Sequence, residues 1–306
     1  MYEISKSEIH ILRAVIQGFN TISKIQNATG LSISRTSELI SELAEKGFLV
    51  KKREGMQKKI FFSENKHSAL LRQSLTSELK VENVVTDSKI NILFSIIHTP
   101  KDPVKIAMET NLSTDTVRKY LGELKKFGII HSKNDKQVQV SPSAAILISF
   151  LQEYADYINR KTLSAITSKG TILWEQGREI IFKTPINEKV KNALSTAVTA
   201  LSHHKIDIIS ESSYYYYAPW AKTLRNEDIA IHTILLDKNS IRYLSYALLL
   251  LKKIGYKKEY LLEKGKEYKI ENIIKDAINY LNGKKTKKPF PSQKEFKTLC
   301  GQYGVE

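Results

Sequence analysis

Between Ser7 and Gly47 the chain matches itself without a gap at an offset of 81 residues, over Ser88 to Gly128. Identical pairs include Ile9/Ile90, Ile11/Ile92, Leu12/Leu93, Ile16/Ile97, Lys24/Lys105, Ile25/Ile106, Thr29/Thr110, Leu31/Leu112, Ser32/Ser113, Glu42/Glu123, Leu43/Leu124 and Gly47/Gly128. The period is too long for a solenoid repeat, and two copies are visible, so the pattern is a duplicated small domain. Any fold assigned to one copy must also suit the other.

Both copies parse alike. Ser7 or Ser88 precedes a helix whose apolar residues (Ile9, Leu12, Ile16; Ile90, Leu93, Ile97) recur at helical spacing. A second, short helix carries Ile22, Ile25 and Ala28, or Ile106 with Met108 near it. Gly30 or Asn111 closes it, because both residues tolerate the left-handed conformation of a tight helix-to-helix turn. Ser32 or Ser113 then caps a third helix, with an expected inward stripe of Ile33, Thr36, Leu39, Ile40 and Leu43, or Thr114, Val117, Tyr120, Leu121 and Leu124. Gly47 and Gly128 end these helices, and alternating stretches around Glu54-Gly55 and Asn134-Asp135 predict β-hairpins.

Three helices and a two-stranded ribbon make a winged helix-turn-helix. ATGLSISRTSELISELAEKGFLVKK and ETNLSTDTVRKYLGELKKFGIIHSK resemble the helix-turn-helix and wing entry of MarR- and ArsR-type transcription regulators, over about residues 7–62 and 88–140. The resemblance implies duplex DNA binding with the third helix in the major groove.

With the stripe inward, 100° per residue turns Ser34, Arg35, Ser37, Glu38 and Ser41 outward in copy one, and Asp115, Thr116, Arg118, Lys119 and Gly122 in copy two. Arg35 and Arg118 are the expected base contacts, because guanidinium pairs bidentately with guanine. The first wing presents Lys51, Lys52, Arg53, Lys58 and Lys59 to phosphate or the minor groove; the second offers Lys133 and Lys136. Glu38 and Asp115 either accept from cytosine or repel phosphate. Contact is therefore expected more from copy one than from copy two, which alternatively serves as a structural or dimerising module.

The net charge of +16 and pI of about 9.6 suit a polyanionic partner. It is spread as +5 over residues 1–80, +2 over 81–150 and +9 over 151–306. A single cysteine, Cys300, excludes an intrachain disulfide framework, and no apolar run approaches the roughly 20 residues of a membrane span. The expectation is a soluble, cytoplasmic protein without membrane contact.

Leu71, Leu75 and Leu79 mark a linker helix, and Leu147, Leu151, Tyr154 and Ile158 a seam that either packs on its own domain or pairs two chains. From about residue 165 the pattern becomes mixed α/β. Strands are expected at 171–174, 179–182, 206–209 and 229–236, and helices at 188–201, 241–253, 260–267 and 270–281. The segment YYYYAPWAKTLRNEDIAIHTILLD resembles archaeal regulators and antitoxin repressors paired with nucleotidyltransferase toxins, which implies a degenerate nucleotidyltransferase-like or effector domain. Active transfer is not expected: acids are present at Asp207, Glu211, Asp228 and Asp237, but no Gly-Ser precedes a paired-acid motif. His203, His204 and His232 lack metal-site spacing. Tyr214 to Tyr217 read as a packing cluster at a sheet edge.

The expected architecture is α+β, with two tandem winged helix-turn-helix domains (1–64 and 83–142), a linker helix (65–82) and a connecting or dimerising helix (143–164). A mixed α/β C-terminal domain (165–283) and a basic tail (284–306) follow. The expected function is sequence-specific, double-stranded DNA-binding transcription regulation by a homodimer, without enzymatic activity, cofactor or metal. The alternative is a winged-helix adaptor or antitoxin-like protein whose C-terminal domain binds a protein partner.

Overall fold

Short polar side chains set where the helices of both copies begin. Ser5 caps α1 (Lys6–Ile16) in a capping box with Glu8, so the cap lies two residues before the expected Ser7. Thr21 caps α2 (Ile22–Thr29), which ends on Gly30 at φ 72°, and Ser32 caps α3 (Ile33–Glu45). Gly47, at φ 75°, then turns the chain into β1 (Leu49–Glu54), paired antiparallel with β2 (Gln57–Phe62).

The computed structural model describes residues 2–55, 57–76, 81–284, 286 and 289–305. It is mixed helix and strand with small antiparallel sheets, and it divides into Met1–Asn159 and Arg160–Glu306.

In the first unit, α4 (Lys66–Thr76) buries Leu71 and Leu75; Leu79 lies outside the described residues. After α5 (Glu82–Val85), the second copy repeats the first as α6 (Lys89–Ile96), α7 (Pro103–Thr110), α8 (Thr114–Lys126), β3 (Ile130–Ser132) and β4 (Val138–Val140). Asp102 and Ser113 cap α7 and α8, and Asn111 sits between them at φ 56°. One hydrophobic core runs through both copies and into α9 (Ala145–Ile166), within which the chain passes to the second unit. Leu147, Leu151, Tyr154 and Ile158 are buried in that core, so the α9 seam packs on its own domain.

In each copy the first helix anchors the third through an ion pair, from the same first-helix position with the opposite sign but to different positions on the third helix, since Lys46 corresponds to Phe127 and Glu123 to Glu42. Glu8 on α1 is buried and meets Lys46, the C-cap of α3, at 2.6 Å. Its equivalent at the 81-residue offset is Lys89 on α6, which meets Glu123 on α8 at 2.8 Å. Glu8 also accepts from Ser5 N at 2.8 Å, and His67 Nε2 donates to the Lys46 carbonyl at 3.1 Å.

Three expectations for the repeat need correction. Ile33 is 63% exposed, because the stripe begins only at Thr36. Met108 is 71% exposed, and Ala28 also faces solvent.

In the second unit, β5 (Thr171–Gln176), β6 (Glu179–Pro185), β7 (Leu194–Ser195) and β8 (Ser212–Tyr217) form a sheet ordered β5-β6-β8-β7. Around it run α10 (Ala197–Ala200), α11 (Asn226–Leu236), α12 (Ile241–Ile254), α13 (Lys258–Glu267), α14 (Glu271–Leu281) and α15 (Gln293–Gln302).

Residues 229–236, expected as a strand, lie in α11, whose nearly continuous burial leaves no polar face to mark the helical period. Residues 188–201 do not form one helix: Asn192 and Ala197 adopt positive φ, and Leu194–Ser195 pair with β8 instead. Residues 206–209 form no strand; Ile206 is buried while Ile209 is 94% exposed. The tyrosines occupy an interior strand, not an edge, with Tyr214 and Tyr216 buried on one side. Cys300 is buried with Phe296 and Val305, so the terminal segment packs into the core; Lys285, Lys287 and Lys288 lie outside the described residues. No helix among the described residues is long and apolar enough to cross a membrane.

Candidate nucleic-acid interface

Serine caps start α3 and α8 just after the left-handed turn; each helix buries one stripe in the core, turns the opposite face outward and is followed by a hairpin. The charge on these paired elements is distributed oppositely in the two copies. α3 carries Arg35 against Glu38, Glu42 and Glu45, a net −2; α8 carries Arg118, Lys119, Lys125 and Lys126 against Asp115 and Glu123, a net +2. The first hairpin, residues 49–62, has five basic groups and one acid; the second, residues 130–140, has two and one. The basic excess therefore lies on the hairpin in copy one and on the helix in copy two.

On α3, Ser34, Arg35 and Glu38 are exposed, and Ser37 and Ser41 half-buried. Arg35 Nη1 lies 2.6 Å from Glu38 and 3.7 Å from Glu42, and the Glu38 hydrogen bond holds the guanidinium above its usual pKa. The guanidinium is thus held on the exposed face of α3 between two carboxylates. Ser41 Oγ accepts from Lys51 Nζ at 2.8 Å, tying helix to hairpin.

Along the hairpin, Lys52 stands 3.8 Å from Glu64 and Lys59 2.5 Å from Glu54. Arg53 Nε donates to the Gly55 carbonyl at 3.3 Å. Lys51, Lys52, Arg53 and Lys58 are exposed, whereas Lys59 is half-buried. By the strand register Lys51, Arg53 and Lys58 share one face of the ribbon with the Lys51–Ser41 junction, whereas Lys52 pairs with Lys59 on the other.

Copy two builds that junction in reverse, with Lys125 Nζ on α8 donating to Ser132 Oγ on β3 at 2.9 Å. Arg118 and Lys119 are exposed, and Arg118 has only a 3.4 Å contact to Asp115. Thr116 is half-buried, its hydroxyl 2.8 Å from that of Ser113. Lys133 and Lys136 are exposed on a turn organised by Asn134, whose side chain accepts from Lys136 N and Gln137 N. A notch of about 220 Å³ separates α8 from this hairpin, lined in part by Arg118, Gly122, Lys125 and Lys136.

Sequence reasoning passed over Lys125 and Lys126; the charge of the whole helix, counted to its Gly128 stop, was the available signal. Arg35 and Arg118 are also not equivalent, since at the repeat offset Arg35 corresponds to Thr116 and Arg118 to Ser37. On the α7 surface, Val104 and Met108 are exposed where copy one has the exposed Ser23 and Asn27.

The other groups singled out in the sequence have structural partners or stand apart. Asp228 accepts from Arg225 N and the Tyr260 hydroxyl, while Asp207, Glu211 and Asp237 are exposed. His232 is fully buried, 2.7 Å from Thr196 Oγ1 and stacked on Tyr216, and burial lowers its pKa to about 3. Among the described residues no three His, Cys, Asp or Glu side chains are grouped to hold a metal ion.

No curated protein and no solved structure matches this chain. Residues 195–305, from β7 to the end of α15 and three residues beyond it, match the family model described as HVO_2833_C, C-terminal.

Proposed function

We propose that this protein is a sequence-specific, double-stranded DNA-binding transcription regulator of the cytoplasm, built on two tandem winged helix-turn-helix domains. The observation that carries the reading is the twice-repeated order of short helix, left-handed turn, serine-capped helix and hairpin, with exposed cations on one hairpin and one helix. Lys51, Lys52, Arg53 and Lys58 neutralise phosphates from the first hairpin, and Arg118, Lys119, Lys125 and Lys126 do so from α8. Arg35, oriented by Glu38, and Arg118 select bases. Occupancy then blocks or assists the transcription machinery.

Selection from a random duplex library, followed by salt titration of the recovered site, tests this reading. The expected result is an enriched motif whose affinity falls about 10³-fold between 50 and 200 mM salt, as about six phosphate contacts require. Failure to bind at low salt refutes it.

A second reading, a winged-helix adaptor that docks a protein through its C-terminal unit, is favoured by exposed apolar groups there. Ile209 is 94% and Ile241 48% exposed, and Arg242 brings their segments together through a 3.3 Å bond to the Ile209 carbonyl. Loss of DNA binding with retention of a tight protein partner would select it.

A further inference from the structure

The two candidate reading helices occupy equivalent places in the repeat but present different chemistry. At the offset of 81, Arg35 stands where copy two has Thr116, Ser37 where it has Arg118, and Glu38 where it has Lys119. A helix that offers Arg and Glu and a helix that offers Arg and Lys two positions further on do not prefer the same bases.

The two copies are also joined as one body. Their residues share a single hydrophobic core. Tyr154 of α9 lies fully buried between Phe48 of copy one, at 4.9 Å, and Phe94 of copy two, at 6.0 Å, and its hydroxyl donates to the Tyr2 carbonyl at 2.9 Å. Ile4 forms a parallel bridge with Thr86, so the chain runs in the same sense into α1 and α6. Ser88 and Asn91 both donate to Glu3, and Arg13 meets Glu82 at 2.8 Å.

A symmetric dimer presents one reading surface twice and so selects an inverted repeat. Here two unlike surfaces are fixed to each other within one chain, and the α9 seam that could have paired two chains is consumed by the shared core. Once one copy is engaged, the other binds intramolecularly, without recruitment of a second chain.

We infer that a single chain occupies its DNA, on an asymmetric two-part site, with copy one reading one part and copy two the other. This inference rests on the DNA-binding reading above. It assigns the second winged helix a reading role and places half-site spacing in the monomer fold.

The test uses the full-length protein. Sites are selected from random duplexes, and native mass spectrometry counts chains per bound duplex. Selection is repeated with R35A/E38A and with R118A/K119A, after circular dichroism has shown that these surface variants keep their helical content. The expected result is one chain per duplex and a motif without inverted-repeat symmetry. Each double variant should lose about 10-fold or more of its base discrimination in one part of the motif only. Two chains on an inverted repeat, both variants altering the same bases, or R118A/K119A leaving the motif unchanged would each overturn the inference while leaving DNA binding intact. In the last case copy two faces a protein through Val104 and Met108. Absence of DNA binding at low salt would instead remove the functional reading, and this inference with it.

Discussion

Replacing Glu8 with leucine removes one member of a buried ion pair and leaves the other stranded. The Glu8 side chain is 1% exposed and that of Lys46 10%, with Nζ 2.6 Å from Oε1. Breaking such a pair from one side costs about 3–5 kcal/mol, because the remaining ammonium keeps little access to water and loses its counter-charge. Loss of the bonds that the Glu8 carboxylate accepts from Ser5 N and Oγ adds about 1 kcal/mol, while the backbone bond from Glu8 N to Ser5 Oγ remains. The expected destabilisation of the first unit by Glu8→Leu is therefore about 4–6 kcal/mol. Adding Lys46→Met removes the stranded charge, and the double variant should recover about 3 kcal/mol, since two well-packed apolar groups in place of a buried pair are often neutral or better. Urea unfolding followed by circular dichroism, on the parent, both single variants and the double variant, gives the coupling energy. A cost below 1 kcal/mol for Glu8→Leu, or a double variant no more stable than that single one, would refute the reasoning. The Lys89–Glu123 pair, in which the equivalent first-helix position carries the opposite charge, provides an internal comparison. Glu123 is 34% exposed, so Lys89→Met should cost less than Glu8→Leu.

The two glycines that end α3 and α8 should respond unequally to alanine. Gly128→Ala meets open space and carries only the left-handed strain of φ 68°, about 1–2 kcal/mol, whereas a Cβ on Gly47 lies 2.6 Å from Tyr157 Cζ and displaces the hydroxyl from the Glu45 carbonyl, adding about 1 kcal/mol. Equal melting temperatures for the two variants would contradict this. Burial lowers the His67 pKa from 6.5 to about 4, so the unfolded chain binds the extra proton between those values. Stability of the first unit should consequently fall by about 3 kcal/mol as the pH drops from 6.5 to 4, and His67→Gln should flatten that slope in pH-dependent urea titrations. Neutralising Lys52, Arg53 and Lys58 together should reduce the slope of log affinity against log salt by about 3, with little change in the preferred sequence. An unchanged slope would place the phosphate contacts elsewhere.

The local devices of the repeat were legible because each depends on neighbours in the chain. Ser32 and Ser113 cap α3 and α8, Gly30 and Asn111 adopt the left-handed turn, and hairpins follow Gly47 and Gly128. The C-terminal unit was harder to read. In α11, Ile229, Ile231 and Thr233 alternate like a strand, yet burial on all sides erases the periodic signal that separates helix from strand. Residues 188–201 have helical spacing, but pairing of Leu194–Ser195 with the tyrosine strand overrides that local preference.

For the candidate interface, the outward face of α3 and α8 followed from 100° geometry, although Ser37, Ser41 and Thr116 are half-buried, and the hairpin cations followed from the basic run flanking Glu54-Gly55, of which Lys59 is half-buried. The junctions between helix and hairpin did not. Lys51–Ser41 and Lys125–Ser132 depend on how each ribbon folds back on its helix. Nor did the Glu8–Lys46 pair, whose partners lie 38 residues apart. The sequence by itself determined that there are two copies of one small helical unit, that serines cap α3 and α8 after a left-handed turn, and the main inward stripe of each, because caps, turns and periodicity act over a few residues; it misplaced the α1 cap and the exposure of Ala28, Ile33 and Met108. Tertiary structure alone decided that α9 is consumed by a core shared between the copies and that Tyr154 joins them. Burial of a side chain depends on what packs over it, and those partners come from distant parts of the chain.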